Sequence, residues 1–383
     1  MARLGDICTI QSGGTPLRSN LEYWDNGTIP WVKISDFRGK YLTCTSEFIS
    51  QNGLDNSSAK IFSKGTILYT ILATLGEVCI LDIDAATNQA IAGLQIKDDS
   101  VISDFLYYYL LSKKEYVNEI GRGVAQNNIN MNILRNMEVF LPDIKVQTHI
   151  VREIEKVDNL ISLRKQQLSK LDELVKSRFI EMFGNSENKL PIGEMCNVTG
   201  GYSFKSGDIS NDGAIKILQI GNVYLDNVSW ETTNYLPEGY DEKYSKFMLN
   251  EGDIVVALTR PIIQSLGNVK ACIVKSSDLP CLLNQRVGRI VAKNEKTVFL
   301  EFIYGCLMTD DFTRYVESCS IGCSQPNIST KDIENYLIPS ATYEEQKAYV
   351  EFKKQTDKSK SEIQKSLEKL ETLKKALMQK YFG

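Results

Sequence analysis

A single histidine, His149, stands in 383 residues. Any chemistry that needs imidazole as general base, triad member or metal ligand must use that one side chain. Its neighbours Gln147, Thr148, Ile150, Val151 and Arg152 read as the opening of a helix rather than the wall of a cleft, which predicts a helix-surface or packing residue. Nine cysteines are scattered along the chain. Cys79, Cys272 and Cys306 sit in apolar runs, as thiols in a reducing cytoplasm do. Cys319 and Cys323 form the one close pair, with no second pair at zinc-ligand spacing. No Gly-x-x-x-x-Gly-Lys-Ser/Thr loop occurs, and Gly13-Gly14-Thr15-Pro16 and Gly121-Arg122-Gly123 read as short turns. The Asn/Asp-Pro-Pro-aromatic motif and Gly-rich donor loop of amino-methyltransferases are absent, as is any paired-carboxylate motif. This inventory predicts no catalytic residue, no metal site and no cofactor held by the chain itself.

Side chains that do no chemistry must bind, and what positions them here is a repeat. Phe183-Gly184 and Phe382-Gly383 lie 199 residues apart, as do Gln147 and Gln346, and Gln126-Asn-Asn-Ile-Asn and Gln325-Pro-Asn-Ile-Ser. Upstream the offset shrinks as loops differ. Asn88-Gln89 pairs with Asn284-Gln285, Leu75-Gly76 with Leu266-Gly267, and Leu4-Gly5-Asp6-Ile7 with Ile192-Gly193-Glu194-Met195. Correspondences in one order mean two copies of one unit, each a globular part followed by a helix.

The globular parts read as mixed α/β. Gly65–Leu72 and Val78–Ile83 in the first copy, and Asp253–Leu258 and Asn268–Val274 in the second, are short β-branched runs bounded by Gly, Asp and Lys. One helix is expected over 104–120 and another over 299–318. From Asp143 to Phe183 no Gly or Pro occurs. Ile150, Ile154, Val157, Ile161, Leu168, Leu171, Val175 and Met182 follow an alternating 3-and-4 spacing, with Arg164 and Arg178 filling the gaps. Ile363, Leu367, Leu370 and Leu377 continue that register in the second copy, with Leu373 alongside, while Lys353, Thr356 and Lys360 interrupt it. This is a coiled-coil seam, and about 41 residues at 1.5 Å rise give a rod of about 60 Å. Two helices of matching length in one chain are expected to pair antiparallel.

Composition and charge bound the partners. The chain is 43% hydrophobic and 24% charged, ordinary for a globular protein. It contains no apolar run of transmembrane length, and its N-terminus has no secretory pattern. Net charge is −4, which argues against a simple basic nucleic-acid binder. Residues 143–184 and 340–383 carry net +1 and +3, against −3 and −5 for residues 1–142 and 185–339. Any DNA affinity must come from local faces or from partners that supply phosphate contacts.

Several segments together resemble the specificity subunit of type I restriction–modification enzymes. They are Ser12-Gly-Gly-Thr-Pro-Leu-Arg, Tyr23-Trp24, Ile29-Pro-Trp-Val-Lys-Ile-Ser-Asp36, Gly252-Asp-Ile-Val-Val-Ala-Leu-Thr-Arg260, Thr87-Asn-Gln-Ala-Ile-Ala-Gly, Leu283-Asn-Gln-Arg, Leu337-Ile-Pro339 and Glu344-Glu-Gln346. The first copy departs from the pattern, with Asn127 for Pro, Asp143-Ile-Lys-Val-Gln147 at the helix junction and Ala73-Thr74 where the second has Arg260. The resemblance implies an α/β (mixed α+β) chain of two tandem target recognition domains, 1–142 and 185–339. Each is followed by a spacer helix, 143–184 and 340–383, and the helices form an antiparallel coiled coil with pseudo-twofold symmetry. It further implies a noncatalytic subunit that reads the two halves of a split double-stranded DNA site and docks two methyltransferase subunits, with restriction subunits joining later. Methyl donor and ATP would sit on partners, in the cytoplasm and away from membranes. The competing reading is a coiled-coil adaptor without DNA binding, supported by the acidic charge.

Given that role, base-reading chemistry selects candidates: Arg for guanine, Asn or Gln for adenine, Ser or Thr for either. In the first copy these are Thr15, Arg18, Lys33, Ser35, Arg38, Thr74 and Gln89. In the second they are Tyr202, Lys205, Gln219, Asn222, Arg260, Gln264, Ser265 and Arg286. Asn88 and Asn284 are expected to build turns.

Overall fold

The computed structural model describes all residues except 122–127, 264, 266 and 320–326. Two compact units emerge, one of residues 1–165 with 365–383, the other of residues 166–364. The helices Ile144–Phe183 and Tyr343–Phe382, 40 residues each, contribute to both.

In unit 1, a five-stranded sheet has the order Tyr41–Leu42, Val78–Leu81, Ile67–Thr70, Ile91–Ile96, Cys8–Ser12. A second sheet holds Glu47–Ile49, Ile29–Val32, Ala85–Thr87 and Ile61–Phe62. The strands Ile67–Thr70 and Val78–Leu81 are buried throughout, so they read as continuous apolar runs rather than as alternation. Unit 2 repeats the plan with a four-stranded sheet, Cys196–Gly200, Val287–Ala292, Ile254–Ala257 and Ala271–Ile273. A three-stranded sheet of Asn234–Leu236, Ile215–Leu218 and Cys281–Leu283 accompanies it.

The single helices expected over 104–120 and 299–318 are each two. Ser103–Ser112 and Lys114–Gly121 form the first pair, Leu300–Leu307 and Asp310–Cys319 the second. The break tightens the last turn: the Lys113 N–H donates to Leu110 and Leu111, and the Met308 N–H to Tyr304, Gly305 and Cys306. Thr309 then accepts the Phe312 N–H through its hydroxyl and restarts the helix. The apolar spacing runs across such a break unchanged, which is why it was invisible in the sequence.

Each long helix is clamped to a globular part by the repeat's glutamine. Gln147, fully buried, accepts the Ile102 N–H at 2.9 Å and donates to the Ser100 and Pro142 carbonyls. Gln346 accepts the Phe299 N–H at 3.1 Å and donates to Ala341. His149 is exposed on the helix surface.

Both units contain antiparallel helix pairing. In unit 1, Asp158 meets Lys374 at 2.6 Å and Lys165 meets Glu371 at 3.4 Å. In unit 2, Asp172 meets Lys360 at 2.5 Å, and the Arg178 guanidinium lies 5.9 Å from the Phe352 ring centre. Ile150, Ile154, Val157 and Leu367 are buried, and Ile161, Leu168, Leu171, Ile363, Leu370 and Leu377 half-buried. The three polar residues read as interruptions keep the register instead. Thr356 is 6% exposed, its hydroxyl turned back onto the Phe352 carbonyl. Lys353 and Lys360 keep their ammonium groups on Asp357 and Asp172.

The helix ends leave the seam and enter the globular cores. Phe382 packs 5.5 Å from Phe105 and 5.9 Å from Tyr109 in unit 1. Its repeat counterpart Phe183 packs 5.0 Å from Phe302 in unit 2, with Phe179 5.1 Å from Tyr349. Each core is thus completed by the end of the helix belonging to the other copy.

Candidate nucleic-acid interface

The register of the central sheets gathers sequence-distant loops at one end. In unit 1, Ser12 lies opposite Ala92, and Ile91 opposite Thr70. The loop after Ser12, the Asn88-Gln89 turn and the loop after Thr70 therefore leave from the same sheet end. The second sheet adds the turn Ile34–Asp36: Val32 lies beside Thr87, and the Asn88 N–H donates to the Val32 carbonyl at 3.2 Å. Unit 2 repeats this, with Gly200 opposite Gly288, Ala257 opposite Val287, and the Asn284 N–H on the Leu218 carbonyl at 3.1 Å. Gly13 and Gly201 make the convergence possible. A Cβ on Gly13 would overlap the oxygens of Thr87 and Asn88, and one on Gly201 the carbonyl of Asn284.

Unit 1 carries an arginine on an aromatic base. Trp24 and Trp31 meet edge to face at 5.0 Å, and the Trp31 indole N–H donates to Gly14. The Arg18 guanidinium sits 3.7 Å from the Trp24 ring centre and 4.7 Å from that of Trp31, which preorganises a side chain that would otherwise sweep solvent. Glu47 bridges Arg18 at 2.6 Å and Lys33 at 2.5 Å. Burial alone would raise the Glu47 carboxyl, but hydrogen bonds from Lys33 and Arg18 hold it below its ordinary value, so it is ionised at neutral pH. Thr15 donates to the Gln89 side-chain carbonyl. Ser35, Arg38 and Thr74 are exposed on their loops.

Unit 2 puts different side chains on the same frame. Tyr202, 38% exposed, packs against Tyr244 at 4.6 Å, Phe204 at 5.2 Å and Phe247 at 5.3 Å. Gln219 accepts from Asn234 at 2.7 Å. Lys205, Ser265 and Arg286 are exposed, and Gln264 lies outside the described residues. Arg260 is exposed with φ 47°, and Ala73, at the same place in the first copy, has φ 63°. Left-handed backbone is costly for such residues. It is enforced here by bonds on both sides, from Leu258 N–H to Arg286, Ile328 N–H to Leu258, and Lys270 N–H to Pro261.

Asn222 is a correction. It is 2% exposed, and its amide is spent on backbone: Oδ1 accepts the Gln219 N–H, and Nδ2 donates to Ser229 and Thr232. Buried and tied to backbone on both amide atoms, it is closed to a base edge, so Asn222 builds the turn. In the first copy Asp36 does the same for the Lys33 N–H. Sequence reasoning also missed Glu47 and Asn234, whose roles depend on strand register, and the Trp24–Trp31 platform, which the Arg18 spacing could have signalled. The thiols Cys8 and Cys196 are pushed up to about 12 by burial, so they are inert as nucleophiles. Among the described residues no group of three His, Cys, Asp or Glu stands close enough to hold a metal ion.

A family model described as the type I restriction modification DNA specificity domain matches residues 1–173 and again 186–375. The type I restriction enzyme MjaVIII specificity subunit of Methanocaldococcus jannaschii is 30% identical over 378 residues, covering 92% of this chain and 88% of that protein. The MjaIX specificity subunit of the same organism is 27% identical over 363 residues, covering 88% and 81%. Among solved structures, the S subunit of a type I restriction–modification system from M. genitalium matches with a TM-score of 0.55 at 16% identity, over 100% of this chain and 95% of that one. A chain from a structure describing complex assembly and conformational transition of the type I R-M system matches at 0.62 and 17%, over 100% and 96%. These two likenesses concern the fold.

Proposed function

The chain belongs to the type I restriction–modification DNA specificity family, and from that membership we propose that each of its two repeats reads one half of a bipartite, asymmetric DNA site. DNA sequence specificity within a type I complex is the function, with DNA and the methyltransferase as partners. An adaptor that never touches nucleic acid is not favoured. In the finer division, residues 1–142 and 185–339 are the readers. Residues 143–184 and 340–383 set the distance between half-sites and dock two methyltransferase subunits, with restriction subunits joining afterwards. The chain acts without catalysis of its own, methyl donor and ATP being held by partners, and it works in the cytoplasm. Among the described residues no helix is long and apolar enough to cross a membrane.

One observation carries this reading. The two units share a register that gathers the same loops at the same sheet end, yet the side chains there differ: Arg18, Lys33 and Glu47 in one, Tyr202, Gln219 and Asn234 in the other. One scaffold with two reading surfaces is what an asymmetric site requires. With a net charge of −4, DNA affinity must come from local faces or from phosphate contacts that partners supply.

The test offers the chain, in complex with its methyltransferase, a randomised duplex library. Methylated molecules should share two unlike half-sites at fixed spacing, and none should be enriched when this chain is omitted. Arg260→Ala is expected to lower methylation at the cognate site roughly 10- to 100-fold while leaving assembly with the methyltransferase intact. Undiminished methylation in that variant would remove Arg260 from the interface.

A further inference from the structure

One pair of positions is chemically exchanged between the repeats while the strand register around it is kept. In unit 1 the strand Ile29–Val32 runs antiparallel to Glu47–Ile49 and parallel to Ala85–Thr87, with Trp31 opposite Glu47 and Val32 beside Thr87. In unit 2 the strand Ile215–Leu218 runs antiparallel to Asn234–Leu236 and parallel to Cys281–Leu283, with Ile217 opposite Asn234 and Leu218 beside Leu283. The registers agree residue for residue. The next residue is Lys33 in one copy and Gln219 in the other. Each backbone N–H donates at 2.9 Å to a side chain three residues on, Asp36 or Asn222. Lys33 then meets Glu47 across the strands, and Gln219 meets Asn234. An ion pair occupies in one reader the place that an amide pair fills in the other.

The two pairs offer opposite chemistry to a base. Lys33 and Arg18, both anchored on Glu47, present only donors, which complements the two acceptors N7 and O6 on the major-groove edge of guanine. Gln219 uses its carbonyl to accept from Asn234. That leaves the Gln219 amide nitrogen as donor and the Asn234 carbonyl as acceptor, the complement of adenine N7 and N6. Neither pair is a core device: the Lys33 and Glu47 side chains are 30% and 29% exposed, and Gln219 and Asn234 are half-buried. Both pairs are therefore partly open to solvent at the sheet end. All four stand beside the Asn-Gln turns where the loops converge.

We infer that Lys33–Glu47 and Gln219–Asn234 are equivalent specificity-determining pairs, the first selecting a G·C and the second an A·T base pair in their respective half-sites. The inference rests on the reading that these loops face the DNA bases. It adds two residues, Glu47 and Asn234, and a base assignment to that reading.

The experiment exchanges the pairs in the full chain complexed with its methyltransferase. One double variant carries Lys33→Gln with Glu47→Asn, the other Gln219→Lys with Asn234→Glu. Each reader thereby receives a pair that the other copy already accommodates. Both complexes methylate a duplex library randomised over the two half-sites, and melting temperatures are measured alongside. In the first variant, one position of one half-site should move from G·C to A·T, by about 10- to 100-fold in preference, with the other half-site unchanged. The second variant should make the opposite move in the other half-site. If one variant fails to assemble, the reciprocal one decides. An unchanged motif in complexes that melt like the parent overturns the inference. So does a uniform loss of methylation with lowered melting, which would assign the pairs to loop folding. A parent complex that selects no bipartite motif would instead overturn the underlying reading together with the inference.

Discussion

A chain ending at Gly184 is expected to form a homodimer, and with methyltransferase subunits that dimer is expected to recognise a palindrome: the first half-site, a spacer and its inverse. The expectation comes from what truncation removes. In the full chain the core of unit 1 is completed by Leu377, Met378, Tyr381 and Phe382, all absent from the truncated protein. Ile150, Val151 and Ile154, buried against that cluster, would be laid open. Burying such side chains is worth roughly 1.5–3 kcal/mol each before entropy is subtracted. The repeat supplies replacements. Phe179, Met182 and Phe183 stand where Met378, Tyr381 and Phe382 stand 199 residues later, so a second copy can insert its own helix end. Lys165, paired with Glu371 at 3.4 Å, would meet Asp172 of the second copy and keep its ion pair. Self-complementary pairing of this kind closes with twofold symmetry. Sedimentation should show a dimer at ten micromolar, and Phe183→Ala should weaken it. A half-chain that stays monomeric at tens of micromolar contradicts the exchange.

Inserting one heptad into both long helices is expected to lengthen the spacer between half-sites and leave their base identities alone. The insertions belong between Ile161 and Leu168 and between Lys360 and Leu367. There the helices lie away from the Gln147 and Gln346 clamps and from the Phe183 and Phe382 anchors. Seven residues keep the seam in register and add about 10.5 Å at 1.5 Å per residue, close to three base pairs at about 3.4 Å each. Methylation of a library with graded spacers should peak about three base pairs beyond the parent optimum. A folded, active variant that keeps the parent spacer would show that the helices do not set the distance.

Much of this architecture was legible because it is periodic. The repeat appeared in Gln147 and Gln346, which proved to be helix clamps, and in Phe183 and Phe382, which proved to be core anchors. The helices appeared in the 3-and-4 spacing and the absence of Gly and Pro. The rest depends on tertiary partners. Nothing local in the sequence says that Phe179 and Phe183 leave the helix pairing for a globular core. Lys353, Thr356 and Lys360 looked like breaks, because hydrophobicity cannot show that Asp172 waits opposite Lys360. Asn222 was misread because the amide that suits adenine equally suits a turn. Asp36 at the matching place in the first copy is the clue that favours the turn. Glu47 and Asn234 were passed over because an acidic residue is discounted beside DNA and strand register is not written in spacing.

The most direct test of the central claim, that this chain supplies the sequence specificity of a type I complex through two unlike readers, is a genome-wide map of methylated bases in cells with and without it. The map should show a bipartite motif of two different half-sites, methylated when the chain is present and unmethylated when it is absent. Replacing residues 185–339 with the reader of a different family member should change one half only. An identical methylation map in its absence, with the methyltransferase still expressed, would show that the specificity lies elsewhere.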